Sequence, residues 1–492
     1  MLLGLDIGSS GVKAAVVDAH DGVRATARRG VTLESPRPGW AEADPEQWWD
    51  GVCACVRELT THHGVQAAQV DAVACSGMVP AVLVLDAGGE PLRRAILQND
   101  ARATAELDEL ADLLADLDLV ALTGSALTQQ SVAPTLRWLA RHEPDVFARA
   151  ETVVGSYDWV ARKFGAEPHV ERNWALESGL FTIDGAPLEA VFERAGIDLG
   201  LVPEVRAPAS AAGVVSAAAA SQTRLRAGTP IVVGGADHVL SAYGAGLLAH
   251  GDWLIKLGGA GDVLAVSDEP VVDRRLYLDA HPAGGWLPNG CMATSGSLIR
   301  WLAALTGGEE LAALDAEAAA TPPGAGGIIC LPYFLGEKSP LHDPRLRGAF
   351  VGLHLGHRRG HLHRAALEAV AFGFRHHFEV FGALGVTLGE ARVTNGGSDS
   401  RVWKQIIADV LGVPLRPVVN HPGASFGAAL AAGVGTGAVS GWEAVADMVE
   451  LGESYEPRAQ TRLLYDEHYQ LYRQLGESLA EISHQLSTEA IK

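Results

Sequence analysis

The sequence is short of cysteine, aromatic residues and positive charge. Its 492 residues include 5 cysteines, 6% aromatic residues, and 38 Lys and Arg against 59 Asp and Glu, a formal net charge of −21. The cysteines show no spacing typical of a disulfide framework, which indicates a reducing compartment. An acidic chain without a basic cluster is a poor candidate for following a nucleic-acid backbone. We therefore expect a cytoplasmic protein that binds no nucleic acid.

Long apolar stretches and two widespread enzyme motifs are also missing. No apolar run that stands out reaches the roughly 18 residues that a membrane span needs. The chain opens directly into GLDIG without a basic segment, so we expect neither a membrane partner nor a secretory signal. The patterns GxxxxGKS, GxxxxGKT and HExxH do not occur, which excludes P-loop nucleotide hydrolases and zincin proteases. With 48% apolar residues, the chain is instead typical of a compact protein with two large domains.

The stretch at residues 4–18, GLDIGSSGVKAAVVD, predicts a β-hairpin. Two runs of β-type residues flank a Gly/Ser turn, and such a turn lets backbone N–H groups and hydroxyls approach an anion such as phosphate. Asp6 at the end of the first run would hold a hydrated Mg²⁺, and Lys13 on the second run would add positive charge. The alternative is a plain hairpin turn in which Asp6 forms an Asx-turn.

The same pattern recurs at residues 252–270, DWLIKLGGAGDVLAVSDEP, as an apolar run, a Gly-rich turn and a second apolar run. Two such hairpins about 250 residues apart suggest an internal duplication with one nucleotide held between the halves. We therefore divide the chain into residues 1–244 and 245–492, with the stretch GAGLLAHG as the crossover.

A strand-to-helix corner lies in TPIVVGGADHVLSAYGAGLL, residues 229–248. The strand IVVGG precedes a helical pattern, which places Asp237 near the start of the helix. Asp237 is then either a helix N-cap or a general base that accepts a proton from an attacking hydroxyl. Phosphoryl transfer needs such a base, a metal and phosphate-holding donors, and little other protein chemistry.

A second corner lies in VTNGGSDSRVWKQIIADVLGVPLRPV, residues 393–418. The pattern predicts a strand, a turn, an amphipathic helix and a short strand. Gly396 and Gly397 would let a flat adenine ring approach the backbone. The alternative is an ordinary corner in which Ser400 or Asp399 caps the helix.

Five ordered motifs carry a resemblance: DIGSSGVK, VVGGADH, IKLGGAGD, LPYFLGEKSPLHDPRLRGAFVGL and NGGSDSRVWKQIIAD. Their order and spacing resemble those of FGGY-family carbohydrate kinases, most closely the xylulokinase-like branch, over essentially the whole chain. The resemblance implies an α/β fold of two RNase H-like domains of the actin-like sugar kinase and chaperone superfamily, flanking a deep catalytic cleft. Domain 1–244 would carry the sugar side and the first phosphate loop, and domain 245–492 would carry the ATP side.

The resemblance also implies roles for individual residues. It places the catalytic base at Asp237 and implies ATP and Mg²⁺ as cofactors, with the metal held by Asp6 through water. The positions implied to bind ATP are Asp6, Ser9, Ser10, Lys13, Gly258, Gly259, Gly261, Gly397, Ser400 and Gln405. The positions implied to lie near the sugar are Met78, Asn99, Asp100, Arg102, Asp237 and His238.

The chain departs from the xylulokinase pattern mainly near the sugar. Met78, Val79 and Pro80 stand where xylulokinases carry Gln-Met-His, and His238 stands where they usually have Asn. The segment HVERNWALESGLF also replaces the usual Asp-x-Ser-x-Ala-Ser wording. In the second phosphate loop GGAG replaces the usual Gly-Thr-Ser, which removes two hydroxyl donors. Since a site built to bind a hydroxyl rejects analogues that lack it, altered polar contacts imply altered substrate choice.

We therefore expect an ATP-dependent kinase that transfers the γ-phosphoryl group to a hydroxyl of a small sugar. The first choice is a pentulose such as D-xylulose, giving the 5-phosphate. The alternatives are a kinase for another ketose, a polyol or a sugar acid, and a non-catalytic ATP- and sugar-binding member of the same fold. A homodimer is common in the family and is kept as an open expectation.

Overall fold

The computed structural model describes residues 1–308 and 310–489 and divides into two compact units. The first unit comprises Met1–Leu248, Asp268–Leu287 and Pro422–Val449. The second comprises Ala249–Ser267, Pro288–His421 and the described chain from Glu450 onward. Two segments of the C-terminal half thus belong to the first unit, while the boundary expected between residues 244 and 245 stays a prediction.

The residues up to Leu248 alternate between strands and helices. The strands are β1 (Leu2–Gly8), β2 (Gly11–Asp18), β3 (Gly22–Gly30), β4 (Leu33–Glu34), β5 (Glu42–Ala43), β6 (Ala72–Gly77), β7 (Leu83–Leu85), β8 (Ala95–Ile96), β9 (Thr152–Val154), β10 (Val170–Glu171), β11 (Val205–Arg206), β12 (Ala211–Val214) and β13 (Pro230–Ala236). The helices are α1 (Pro45–His62), α2 (Thr104–Leu113), α3 (Leu119–Thr123), α4 (Val132–His142), α5 (Pro144–Phe147), α6 (Ser156–Phe164), α7 (Arg172–Glu177), α8 (Glu189–Ala195), α9 (Ala217–Thr223) and α10 (Asp237–Gly244).

The remaining described residues continue this alternation. The strands are β14 (Trp253–Leu257), β15 (Gly261–Ala265), β16 (Tyr277–Ala280), β17 (Trp286–Met292), β18 (Ile329–Leu331), β19 (Ala349–Val351), β20 (Ala391–Thr394), β21 (Leu415–Val419) and β22 (Glu450–Leu451). The helices are α11 (Gly296–Leu305), α12 (Leu311–Ala320), α13 (Arg359–Ala383), α14 (Arg401–Leu411), α15 (Ala424–Thr436) and α16 (Arg462–Glu489).

The first unit is built on a sheet in the order β12-β13-β6-β1-β2-β3. Strands β1, β6 and β13 run parallel, whereas β2 and β3 extend the sheet as antiparallel hairpins. In this register Asp6 lies opposite Ser76, and Ser76 lies opposite Gly235. Because parallel strands end at the same edge of a sheet, the end of β1 and the β13–α10 corner share one edge.

Helix α15 covers this sheet although it comes from the end of the chain. Its sequence, ASFGAALAAGVGT, consists almost entirely of small residues, so its backbone can approach the strands closely. Phe426 and Leu430 of the helix join Leu2, Ala74 and Leu240 in one buried apolar cluster. Burial of this apolar surface holds the segment Pro422–Val449 in the first unit.

The second unit contains a second mixed sheet, in which β17, β15, β14, β20, β21 and β22 are neighbours in that order. Strand β14 is antiparallel to β15 and parallel to β20, which in turn is parallel to β21. The long helix α16 lies along this unit with its Tyr465, Tyr469 and Tyr472 rings buried. Both predicted hairpins and both strand-to-helix corners are confirmed. Within the described residues no helix is long and apolar enough to cross a membrane.

Candidate active site

The first phosphate-hairpin candidate is the turn between β1 and β2. Ser9 and Ser10 form the turn, with Ser9 half-buried and Ser10 exposed. Asp6 pairs with Lys13 across the two strands, and the Lys13 Nζ lies 3.4 Å from the Asp6 Oδ2. The Asp6 side chain is only 8% exposed, whereas that of Lys13 is 53% exposed. The hairpin therefore presents an ammonium group and two hydroxyls at the edge of the sheet, with one carboxylate beneath them.

The β13–α10 corner places Asp237 at the first position of the helix. The N-cap position belongs to Ala236, so the structure does not use Asp237 as the N-cap. The Asp237 side chain is 35% exposed, and the N-terminal end of a helix favours a negative charge. A Cβ on Gly234 would lie 1.9 Å from the Cys75 O, which explains why glycine is needed where β13 runs beside β6. The corner thus holds a partly exposed carboxylate on a tightly packed support.

His238 follows Asp237 and lies among three carboxylates. Its Nδ1 is 3.5 Å from the Asp237 Oδ1, its Nε2 is 2.7 Å from the Asp279 Oδ2, and the same Nε2 is 3.6 Å from the Glu177 Oε1. The ligand atoms of Glu177, His238 and Asp279 lie within 4.8 Å of one another. The short contact between the His238 Nε2 and the Asp279 Oδ2 makes this group a hydrogen-bonded cluster of one imidazole and several carboxylates.

Asp279 reaches His238 because the strand β16 that carries it is clamped to helix α7. The Asn173 Oδ1 accepts a bond of 2.7 Å from the Ala280 N–H, and the Asn173 Nδ2 donates to the Ala280 O at 3.1 Å. On the other side of Asp279, the Leu278 N–H donates to the Ser125 Oγ at 3.0 Å. These bonds fix the backbone on both sides of Asp279, whose side chain is fully buried.

Burial and neighbouring charges compete in this cluster. Burial alone would lower the pKa of His238, but the carboxylates of Asp279, Asp237 and Glu177 outweigh it and hold the pKa well above 6.5. Burial raises the pKa of Glu171 to about 7, although bonds from Asn173 and Tyr157 oppose it. At neutral pH His238 is therefore an imidazolium, and both of its ring N–H groups donate.

The residues expected near the sugar fall into two groups. Met78 is buried after β6, where its carbonyl oxygen accepts from the Ser156 Oγ at 3.2 Å, and the following Val79–Pro80 peptide bond is cis. Asn99 is exposed. Whether these positions contact the substrate stays a prediction.

The side chains of Asp100 and Arg102 bond mainly to each other. The Arg102 Nε donates to the Asp100 Oδ1 at 2.9 Å, and the guanidinium lies over the Trp40 ring at 3.8 Å. The Arg102 Nη2 also contacts the Glu42 Oε1 at 2.7 Å. Among the described residues the buried Arg102 Nη1 has no hydrogen-bond partner, so one donor of this pair is not used within the protein.

In the second unit, the turn between β14 and β15 holds Gly258 and Gly259, and Gly261 begins β15. The Gly258 O accepts from the Gly296 N–H at 2.9 Å, and the Gly259 O accepts from the Ser297 Oγ at 2.8 Å. The turn therefore packs against the start of α11, which brings a serine hydroxyl to it. The sequence alone did not identify Ser297 as a neighbour of this turn, because Ser297 lies in a distant segment of the chain.

The turn after β20 lies next to that hairpin. A Cβ on Gly397 would lie 2.6 Å from the Leu257 Cβ and 2.7 Å from the Trp403 Cζ3, so only glycine fits there. Ser400 caps α14 by accepting from the Trp403 N–H at 3.1 Å, which matches its alternative role as a helix cap.

Gln405 lies one turn further along α14. Its Nε2 donates to the Asp409 Oδ1 at 3.0 Å and to the Glu456 O at 2.9 Å. The contacts of Gly397, Ser400 and Gln405 with ATP therefore stay predictions.

The first unit combines a parallel core of β1, β6 and β13, antiparallel extensions, and carboxylates at the end of β1 and at the β13–α10 corner. This combination defines an enzyme of the actin-like ATPase class. Models of the N-terminal and C-terminal domains of the FGGY family of carbohydrate kinases match residues 1–244 and 254–436. The chain belongs to this family and is an ATP-dependent sugar kinase.

Relatives match over nearly the full chain. Xylulose kinase of Escherichia coli (strain K12) is 29% identical over 97% of this chain and 99% of its own length. L-xylulose/3-keto-L-gulonate kinase of the same strain is 30% identical over 96% of each chain. The crystal structure of xylulose kinase from Rhodospirillum rubrum is 43% identical, has a TM-score of 0.89, and covers 98% of this chain and 99% of its own.

The sequence had no direct signal for Glu177 or Asp279. They lie far from His238 along the chain, and Asp279 is 41 residues away from it. The nearest clue was the altered segment HVERNWALESGLF, which contains Glu177 itself and also Asn173, whose side chain bonds to Ala280 beside Asp279.

Proposed function

We propose that this kinase phosphorylates a primary hydroxyl of a pentulose, foremost D-xylulose, giving the 5-phosphate. The observation that carries the proposal is the partly exposed Asp237 carboxylate at the β13–α10 corner, held beside the His238 ring. Support for the sugar comes from relatives named xylulose kinase that match nearly the whole chain.

In the proposed mechanism Asp237 accepts the proton of the attacking sugar hydroxyl. Asp6 would hold Mg²⁺ through water, since a largely buried carboxylate at the sheet edge is the hard oxygen ligand that this ion prefers. When bound, Mg²⁺ neutralises charge on the phosphate oxygens. Ser9, Ser10 and Lys13 would donate to phosphate oxygens from the β1–β2 turn.

Residues of the second unit are also proposed to contact ATP. Gly258, Gly259 and Gly261 lack side chains, which would let phosphate approach the backbone N–H groups of this turn. Gly397 would let the adenine ring lie against the backbone, and Ser400 and Gln405 are proposed to lie beside it.

We also propose a cytoplasmic location and a homodimer. All five cysteines are free thiols, which suits a reducing compartment that supplies ATP. The homodimer rests only on the resemblance to the family.

A second substrate class is favoured by a specific observation. Met78 is buried where xylulokinases carry Gln, and a relative of similar identity is named L-xylulose/3-keto-L-gulonate kinase. An altered polar contact at this position changes which hydroxyl or carboxylate pattern is accepted. L-xylulose and sugar acids therefore belong in the substrate test beside D-xylulose.

The test is ADP release from Mg-ATP with D-xylulose, L-xylulose, D-ribulose, gluconate and glycerol, using wild type, Asp237→Asn and Asp118→Asn. Asp118 caps α3 in the same unit by accepting from the Ala121 N–H, a role that Asn also fills, so this variant is a matched control. We expect the strongest rate with D-xylulose, a loss of at least about 100-fold in Asp237→Asn, and no loss in Asp118→Asn. ATP binding without stimulation by any sugar would instead favour the non-catalytic alternative.

A further inference from the structure

The cluster around His238 goes beyond the parts that phosphoryl transfer needs. The base itself is Asp237, yet the adjacent histidine is held by a second carboxylate that is fully buried, that of Asp279. The Asp279 Oδ2 and the Asp237 Oδ1 face opposite ring nitrogens of the imidazole, at 2.7 Å and 3.5 Å. A buried carboxylate on one nitrogen of a histidine fixes the ring and directs the other nitrogen at its target.

We propose that His238, clamped by Asp279, is a positioning residue that holds the Asp237 carboxylate for proton transfer. The inference rests on the proposed function, because it assumes that Asp237 is the base. It also replaces the role of sugar contact that the resemblance implied for His238. Both ring nitrogens of His238 face carboxylates, so the imidazole has little capacity left for a sugar hydroxyl.

The charges that face His238 come from three elements. Asp237 lies on its own helix α10, Glu177 ends helix α7, and Asp279 belongs to strand β16. Behind them, Glu171 of β10 and Tyr157 of α6 form a hydrogen bond of 3.0 Å. The three side chains named here as contacts of His238 are all acidic, and this favours the charged imidazolium.

The imidazolium has two effects on Asp237. Its Nδ1–H lies where it can donate to the Asp237 Oδ1, which restricts rotation of the carboxylate. Its positive charge also favours the ionised form of Asp237, so the base loses its proton at a lower pH than it would beside a neutral residue. Replacing His238 with Asn keeps a donor but removes the charge, which separates the two effects.

The first experiment measures how Asp237 and Asp279 affect the pKa of His238, and it needs no catalytic turnover. Histidine ring ¹H–¹³C spectra of the full chain are recorded against pH, and the resonance absent from His238→Asn identifies His238. We expect it to titrate well above pH 6.5 in the wild type, and about one unit lower in Asp237→Asn and in Asp279→Asn. By linkage, Asp237 must raise the pKa of His238 as much as His238 lowers that of Asp237.

The second experiment measures kcat/KM as a function of pH with Mg-ATP and D-xylulose. The profile of each variant is compared with that of the wild type. In His238→Asn, the fall in kcat/KM on the acidic side of the profile should begin about one pH unit higher than in the wild type. His238→Ala also lacks a donor, so its kcat should be lower by a further factor of about ten. KM for the sugar should stay within about twofold in both variants, since neither effect acts through sugar binding.

His169→Asn is the matched control. His169 is a buried histidine of the same unit, bonded to the Glu167 O, and burial lowers its pKa rather than raising it. We expect the acidic limb of this variant to coincide with that of the wild type. Thermal unfolding of every variant separates loss of fold from loss of positioning.

The outcomes separate the two proposals. A wild-type enzyme without sugar-dependent turnover would remove the proposed function, while the titration of His238 would still report its coupling to Asp237. An active enzyme whose His238 titrates at or below pH 6.5, or whose titration ignores Asp237→Asn, would overturn the inference alone. A rise in sugar KM with unchanged kcat in His238→Asn would also overturn it, in favour of a direct sugar contact.

Discussion

Replacing Gly4 with Ala tests the closest packing in the first unit. Gly4 lies in the middle of β1, two residues before Asp6, and helix α15 crosses directly over it. A Cβ on Gly4 would lie 1.9 Å from the Ser425 O and 2.4 Å from the Ala429 N. Both atoms belong to the backbone of α15, so no side-chain rotation can relieve the clash.

The magnitude follows from that distance. Non-bonded atoms are best placed at about 3.5 Å, so α15 would have to move by roughly 1.5 Å. Overpacking of this kind costs about 1 to 3 kcal/mol, and we expect the upper end because only backbone can yield. Gly30→Ala in β3 is the control, since a Cβ there meets nothing within 4 Å. In a strand, Ala is favoured over Gly by about 0.5 to 1 kcal/mol, so the two variants should differ by about 3 kcal/mol.

The assay is equilibrium urea unfolding followed by circular dichroism and tryptophan fluorescence. With a slope of about 2 to 3 kcal/mol/M, the midpoint of Gly4→Ala should lie about 1 M below that of Gly30→Ala. Because β1 leads to Asp6, kcat should also fall in Gly4→Ala at urea concentrations where the chain is still folded. Equal midpoints for the two variants would contradict the close packing of α15 on β1.

Three further predictions concern groups around the site. Glu171→Gln should remove part of the pH dependence of the free energy of unfolding. The pKa of Glu171 in the folded protein is about 7, above the usual 4.5. Its contribution to stability is therefore fully present below pH 4.5 and is lost as the pH rises through 7. Thermal unfolding of wild type and variant at pH 4.5 and 8 checks this, and parallel curves would refute it. Asn173→Ala should cost about 2 kcal/mol in urea unfolding, because it removes two bonds to Ala280. Asp6→Asn should lower kcat and raise the Mg²⁺ concentration for half-maximal rate by about tenfold, and an unchanged Mg²⁺ dependence would count against a metal at Asp6.

Local patterns were enough to predict the parts of the candidate site that lie on short stretches of chain. The β1–β2 and β14–β15 hairpins and the corner at Asp237 follow from alternating apolar residues broken by glycines, which constrain only neighbouring residues. The structure was needed to decide between the alternative roles of the residues at these positions. Asp237 does not act as the N-cap, whereas Ser400 does.

The two hairpins, the two strand-to-helix corners and the motifs that point to the family are readable from the sequence alone, because each of them consists of residues close together in the chain. That α15 covers β1, and that Asp279 and Glu177 lie beside His238, could be learned only from the folded structure. Periodicity shows which face of an element is apolar, but it does not show which distant segment covers that face. The partners of His238 follow from the packing of β16 and α7, and that packing exists only once the whole unit has folded.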